Sequence, residues 1–251
     1  MITVHLRFYE ELNDFLPRKL RKVRFEKKLK FSTTVKDVIE SCGIPHTEVK
    51  LILVNGKSTD FNYHINDKDD ISAYPIFESM DISGLTKIES SLPEELKFIA
   101  GRNLGKLVRN LRLLGFDVVH DQYAKNSEIL RKMKEDNRIL LARNRNILMC
   151  NEVQYGSYIY SNEPFKQTVE VVQRFKLVDV INPITRCSLC NSLLEPVQKK
   201  EILHRLEPLT RKYYDEFVRC IKCDKIYWHG SHHIKLRQFI KRVEEEVKKN
   251  R

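Results

Sequence analysis

Four of the six cysteines occur in two closely spaced pairs, Cys187-x-x-Cys190 and Cys220-x-x-Cys223. Each pair can present two thiolates from one tight turn, which suits the tetrahedral coordination of zinc. A site of four cysteines has no open position for water, so the pattern predicts a structural zinc. Two alternatives remain: a redox pair, and two separate turns of buried free cysteines. The 29 residues between the pairs predict a folded insertion.

Polar side chains also follow a strong apolar run in the middle of the chain. The run "ILLA" ends in Arg143, Asn144 and Arg145. The acids at comparable positions are Asp121, after an earlier predicted strand, and Glu128, in the helix that follows it. Metal-dependent phosphodiester cleavage normally takes several carboxylates that converge on one or two ions. Two acids predict at most a weak Mg²⁺ or Mn²⁺ site.

A row of basic residues could hold phosphate near this point. Arg102, Lys106 and Arg109 recur at helical spacing, without acids in the same helix. The helix start adds backbone N–H groups that favour anions. With Arg143 and Arg145 they predict an RNA-binding surface, and the alternative is an ordinary solvated helix face.

The charge distribution points the same way. The 251 residues carry a formal net charge of +11, and residues 184–251 contribute 16 Lys and Arg against 9 Asp and Glu. This excess suits a polyanion such as RNA, although a lysine-rich solvated surface would look similar. No apolar stretch is long enough to span a bilayer and no signal-peptide pattern is present, so we expect a cytoplasmic protein without a membrane partner.

Hydrophobic periodicity divides the chain into segments. Residues 1–80 read β-β-α-β-β, with a helix capped by Ser32, Thr33 or Thr34, and predict a ubiquitin-like β-grasp domain. Residues 81–95 are rich in Ser and predict a linker.

The remaining residues predict two further domains. Residues 96–183 alternate short apolar strands with helices, one of them capped by Ser127, and predict a doubly wound parallel sheet. Sites in such sheets lie outside the carboxyl ends of the strands. Residues 184–251 predict a zinc ribbon followed by a basic terminal helix. The expected fold class is therefore multi-domain, α+β and α/β.

Several stretches resemble the Mut-seven C-terminal (Mut-7-C) RNase family, a PIN-like nuclease domain followed by a zinc ribbon. They are "KFIAGRNLGKLVRNLRLLGFDV", "ILLARNRNIL", "RCSLCNSLLEPV" and "YYDEFVRCIKCDKIYWHGSHH". Many bacterial members carry an N-terminal ubiquitin-like domain, which "RFYEELNDFLP", "HTEVKLILVNGKS" and "YPIFES" resemble. The resemblance covers nearly the whole chain.

The chain departs from the family at positions that would bind metal. The family's first strand typically ends in Ala-Asp, where this chain has Gly101, and its third in Thr-Arg-Asp, where this chain has Asn144. Asp121 and Glu128 match two acids of the family, and Asn126 stands where another aspartate is expected. Glycine offers no ligand and an amide oxygen carries no charge, so the resemblance implies a scaffold that grips phosphate but holds catalytic metal poorly.

The N-terminal segment also resembles sulfur-carrier proteins, which act through a free C-terminal Gly-Gly. Here the chain continues through Glu78-Ser79-Met80, so we expect this domain to dock RNA or a protein partner instead of transferring sulfur.

The leading hypothesis is a cytoplasmic RNA-binding protein on an impaired PIN-like nuclease scaffold. A structured RNA such as tRNA or rRNA would suit three linked modules. One alternative is an active metal-dependent ribonuclease that uses Asp121 and Glu128, and would need Mg²⁺ or Mn²⁺. Another is a protein-interaction adaptor.

Overall fold

The computed structural model describes residues 1–76, 84–88 and 92–249. These form two compact units, one of Met1–Glu94 with Ile139–Tyr158, the other of Glu95–Arg138 with Ile159–Arg251. Much of the predicted linker, and the run from Glu78 to Met80, lie outside the described residues. The predicted domain boundaries stay a prediction.

The N-terminal part of the first unit is a mixed five-stranded sheet with one helix. Its elements are β1 (Ile2–Phe8), β2 (Phe25–Leu29), α1 (Val35–Glu40), β3 (Leu51–Val54), β4 (Lys57–Thr59) and β5 (Asp70–Tyr74). The strand order is β2-β1-β5-β3-β4, and β1 runs parallel to β5 while the other pairs are antiparallel. This confirms the predicted β-grasp. Alternate residues of β1, Val4, Leu6 and Phe8, are buried together with Val38 and Ile39 of α1, as a two-residue period requires.

Local signals in this sheet act as the sequence predicted. Thr34 is the N-cap of α1: its Oγ1 accepts the Asp37 backbone N–H at 3.2 Å, and the Asp37 carboxylate accepts the Thr34 N–H. This reciprocal pair is a capping box. Between β3 and β4, Asn55 and Gly56 both have positive φ, 51° and 77°, which a tight hairpin turn requires.

The second unit begins with two parallel strands and two helices. They are β6 (Phe98–Ala100), α2 (Gly105–Leu113), β7 (Val118–His120) and α3 (Asn126–Glu135). The predicted apolar face of α2 is buried, with Leu104, Leu107 and Leu111 fully inaccessible. The predicted cap of α3 is wrong, because Lys125 has the extended backbone of the N-cap and Ser127 lies inside the first turn.

The chain then contributes a second parallel strand pair to the first unit. Its elements are β8 (Ile139–Ala142), α4 (Arg145–Leu148) and β9 (Gly156–Tyr158), with Leu140 opposite Gly156. The N–H of Tyr158 donates to the Glu48 carboxylate at 2.8 Å, which joins β9 to the N-terminal part of this unit. The pattern had not predicted α4. Parallel pairs that alternate with helices confirm the α/β class.

The rest of the second unit contains α5 (Pro164–Arg174) and an antiparallel sheet. The remaining elements are β10 (Leu194–Val197), α6 (Lys199–Ile202), α7 (Pro208–Tyr213), β11 (Phe217–Cys220), β12 (Ile226–Trp228) and α8 (Ser231–Lys249). The sheet order is β10-β11-β12. The insertion is folded as predicted, because Val197, Ile202, Leu206 and Phe217 form a small core. Helix α8 is the predicted terminal helix. Among the described residues, no helix is long and apolar enough to cross a membrane.

Candidate metal centre and strand-end site

The four paired cysteines converge. Their sulfur atoms all lie within 4.8 Å of one another. The Sγ atoms of Cys187 and Cys223 are 3.5 Å apart, and those of Cys190 and Cys220 are 3.3 Å apart. A tetrahedron of thiolates around zinc, at Zn–S of about 2.3 Å, has edges of about 3.8 Å. The cluster therefore has the ligand type, number and size that a zinc ion requires.

The two turns that carry the cysteines, here called knuckles, have the same backbone pattern. The N–H of Cys187 donates to the carbonyl five residues later and its carbonyl accepts from Asn191, at 2.8 and 3.0 Å. Cys220 makes the equivalent bonds, at 2.9 and 3.1 Å, the second with Asp224. Asn191 and Asp224 both have left-handed backbone, with φ of 73° and 59°, which Asn and Asp tolerate better than other side chains. The sequence motif is thus C-x-x-C followed by Asn or Asp.

The pKa values of Cys190 and Cys223 are shifted in opposite directions. Burial opposes ionisation of Cys190, but hydrogen bonds from the Ser192 backbone and from neighbouring thiols outweigh it and lower its pKa to about 6. The Lys225 backbone favours ionisation of Cys223, but burial and its hydrogen bonds to neighbouring sulfurs raise its pKa to about 12. Sulfurs this close cannot all carry charge by themselves, and a divalent cation would compensate all four.

The first knuckle is joined to the parallel strands by buried polar contacts. The Arg112 guanidinium donates to the Leu189 carbonyl at 2.6 Å and to the Val118 carbonyl at 2.8 Å. The Asn191 side chain donates to the Asp117 carboxylate at 2.8 Å and accepts the Val118 N–H at 3.0 Å. The sequence analysis singled out neither Arg112 nor Asp117, because no local pattern marks these two charged residues as buried.

At the strand ends of the second unit, the predicted acids Asp121 and Glu128 make local contacts. Gly101 is buried directly after β6, and Asp121 is exposed after β7, where its carboxylate accepts the Tyr123 N–H at 2.9 Å. Glu128 lies in the first turn of α3, 3.9 Å from the Lys132 ammonium. Within the described residues, the four cysteines form the only cluster of three or more His, Cys, Asp or Glu side chains close enough to share a metal.

One further strand-end residue was not singled out by the sequence. His120 is the last residue of β7, and its buried Nε2 has no hydrogen-bond partner among the described residues. Burial and the nearby Arg112 charge lower its pKa. The lowered pKa favours the neutral form of this imidazole, which precedes Asp121 in the chain.

In the first unit, the polar residues after β8 have local contacts. Asn144 is the N-cap of α4, and its Oδ1 accepts the Asn146 N–H at 2.9 Å. The Arg145 guanidinium donates to the carbonyls of Phe15 and Gly43, at 3.1 and 3.4 Å. Arg143 is half-buried. Asn and Asp cap helices about equally well, so the cap does not itself require the amide.

The basic row on α2 has two different environments. The Arg102 Nε donates to the Ala124 carbonyl at 3.1 Å, which anchors the loop after β7. Lys106 and Arg109 are exposed on α2, and Arg109 lines a groove beside the sheet β10-β11-β12. The catalytic and RNA-binding roles of all these residues stay predictions.

Family comparison agrees with the order of the modules. Residues 96–240 match the model of the Mut7-C RNAse domain, and residues 1–81 match the model of the Mut7-C ubiquitin domain. No curated protein and no solved structure matches the chain.

Proposed function

The chain belongs to the Mut7-C RNAse family, and we propose that it binds RNA on a nuclease-like scaffold whose catalytic metal site is impaired. The observation that carries the proposal is the pair of uncharged residues, Gly101 and Asn144, at the ends of β6 and β8. The family resemblance expects an aspartate at each of these positions, and a carboxylate is a strong ligand for a divalent ion. Without these aspartates, binding of Mg²⁺ or Mn²⁺ loses both charge and ligands.

The basic residues support retention of RNA binding. Lys106 and Arg109 present exposed cations on one helix, and the segment from residue 184 onward is strongly basic. Cations in a row can contact successive phosphates and release condensed counterions, so affinity for RNA should fall steeply with salt.

Zinc has a structural role in this proposal. Cys187, Cys190, Cys220 and Cys223 would hold the ion, which would fix the two knuckles and the sheet β10-β11-β12. With four thiolate ligands the ion keeps no position for water, so it would activate no nucleophile. The ubiquitin-like domain would supply a surface for a protein partner.

The test of impairment is a cleavage assay on labelled single-stranded RNA and tRNA with Mg²⁺ or Mn²⁺, and with EDTA as control. The wild type should not cut, and the double variant Gly101→Asp with Asn144→Asp should cut. A matched double variant, Gly84→Asp with Asn137→Asp, adds the same charge away from these strand ends and should stay inactive, because Asn137 is exposed and precedes β8. Cutting by the wild type that EDTA and Glu128→Ala both abolish would mean that the protein is an active ribonuclease.

The test of binding is the fluorescence anisotropy of labelled RNA over a series of salt concentrations. Lys106→Glu and Arg143→Glu should each weaken binding and lower the slope of log affinity against log salt by about 1. Lys134→Glu makes the same charge change on the exposed side of α3 and is the control. If wild-type protein has no affinity for RNA, the binding proposal fails and a protein-interaction role is favoured.

A further inference from the structure

A groove of about 480 Å³ lies within the second compact unit, between α2, the ribbon strands and α8. We call it the ribbon groove. Its apolar lining includes Leu113 of α2, Trp228 of β12, and Leu236 and Phe239 of α8. The volume falls in the range of about 300–1,000 Å³ that is usual for small-ligand sites. The groove is therefore large enough for one nucleotide.

The positive charge of the residues that line the ribbon groove favours an anionic ligand. Within the described residues, the lining of the ribbon groove includes four side chains that are cationic at neutral pH and no acidic one. They are Arg109, Arg186, Lys225 and Lys235. An apolar interior with cations around it fits a ligand that has a flat apolar part and an attached anionic group.

The aromatic and cationic groups are held in place by neighbours. Trp228 packs against Phe217, with ring centroids 6.4 Å apart, and a Cβ on Gly230 would lie 2.6 Å from the Trp228 Nε1. Arg186 is fixed by an ion pair with Asp117 at 3.3 Å and a hydrogen bond to the Asn191 carbonyl at 3.0 Å. Groups that are already ordered lose little conformational entropy when a ligand binds.

We propose that the ribbon groove binds a single unpaired nucleotide of the RNA, with the base against the aromatic lining and the phosphate between Arg109 and Lys235. This inference rests on the proposed RNA binding and adds a site apart from the strand ends. Proteins that read single-stranded RNA commonly stack unpaired bases on aromatic rings and pair Arg or Lys with the phosphate. Arg109 and Lys235 are exposed on two different helices, so each is available to a phosphate at the mouth of the groove.

The chain offers a direct probe, because Trp228 is its only tryptophan. We would titrate the full-length, zinc-loaded protein with adenosine 5′-monophosphate, adenosine, inorganic phosphate and a short oligoadenylate, and follow tryptophan fluorescence. The mononucleotide and the oligoadenylate should change the signal saturably, and inorganic phosphate should not. Arg109→Glu and Lys235→Glu should each lower the affinity for the mononucleotide about 10-fold or more, as expected for a lost charge-assisted hydrogen bond. Lys134→Glu should leave its affinity within about 2-fold, as expected for a remote, screened charge.

Parallel anisotropy with labelled oligoadenylate separates this inference from the proposed function. If the RNA binds but Trp228 fluorescence does not change, and both groove variants behave like Lys134→Glu, the groove is not the site and RNA binding stands. Equal affinity for adenosine and its monophosphate would overturn the role of Arg109 and Lys235. If the mononucleotide binds but RNA does not, the assignment to RNA is wrong in both proposals. Zinc content and circular dichroism of each variant should match the wild type.

Discussion

The carboxylate of Asp117 links the parallel strands to the first knuckle, and its neutralisation should destabilise the second compact unit. It accepts from the Arg138 guanidinium at 2.6 Å, from the Asn191 amide at 2.8 Å, and pairs with Arg186 at 3.3 Å. Its side chain is 14% exposed and that of Arg138 is 9% exposed. The variant Asp117→Asn keeps the size but removes the charge and turns an NH₂ group toward one of three donors.

The expected loss of stability in Asp117→Asn follows from the burial of the Asp117–Arg138 ion pair. Breaking a buried ion pair costs about 3–5 kcal/mol of the free energy of unfolding. Arg138 keeps its bonds to Asp136 and to the Phe98 carbonyl, so the lower end of that range applies. For a unit of this size a loss of about 3 kcal/mol lowers the melting temperature by roughly 10 °C.

The chain contains a matched control for this prediction. Asp136 also binds Arg138, at 2.8 Å, but its side chain is 51% exposed. Asp136→Asn should therefore cost less than about 1 kcal/mol, as for other solvent-exposed pairs. Thermal unfolding followed by Trp228 fluorescence reports this unit, and equal shifts for the two variants would refute the argument from burial.

The stability that Asp117 contributes should decrease as the pH falls. Burial opposes ionisation of Asp117, but the hydrogen bonds from Arg138 and Asn191 and the nearby arginine charges outweigh it and lower its pKa. A carboxyl whose pKa is lowered on folding contributes stability above its unfolded pKa, and that stability is lost as the pH falls through the folded value. The difference between wild type and Asp117→Asn should stay constant from about pH 8 to about pH 5 and shrink below about pH 4.

Two further predictions concern the ribbon and the α2 turn. Cys190→Ala should lose bound zinc and the cooperative unfolding transition seen by Trp228 fluorescence, because structural zinc contributes about 10–16 kcal/mol of binding free energy to folding. Zinc quantification checks this prediction, with Cys42→Ala as the control. Retained zinc together with an unchanged melting curve would contradict it. Gly115→Ala should lower the free energy of unfolding by at least about 2 kcal/mol, because Gly115 has φ +99° and an added Cβ would lie 2.1 Å from the Asn182 carbonyl oxygen. Gly84→Ala is the control and should have little effect, because a Cβ added there meets nothing within 4 Å. Similar melting temperatures for the two variants would show that the turn at Gly115 relaxes.

Features that depend only on residues close together in the chain could be predicted from the sequence. The alternation in β1 predicts its buried face, and the spacing of leucines in α2 predicts the face that packs inward. The C-x-x-C pairs predict the cysteine cluster, because a tight turn brings its own two thiols together whatever surrounds it. Gly101 and Asn144 could be singled out as departures from the family pattern because family motifs are local in sequence. The helix α4 and the first residue of α3 were missed, since caps and single turns depend on backbone geometry that several residue types can adopt.

Contacts between distant residues were decided only by the tertiary structure. Arg112 looks like one more cation on a basic helix, yet its buried guanidinium holds a carbonyl 77 residues away. The helical period of α2 could not show which polar position faces another element. The same reason applies to Asp117 and to the ribbon groove, whose lining comes from α2, β12 and α8. The sequence alone determined which residue types are present to bind zinc and phosphate. The tertiary structure decided which of these residues lie in contact, because a salt bridge or a groove depends on distances in space that produce no periodic pattern in the sequence.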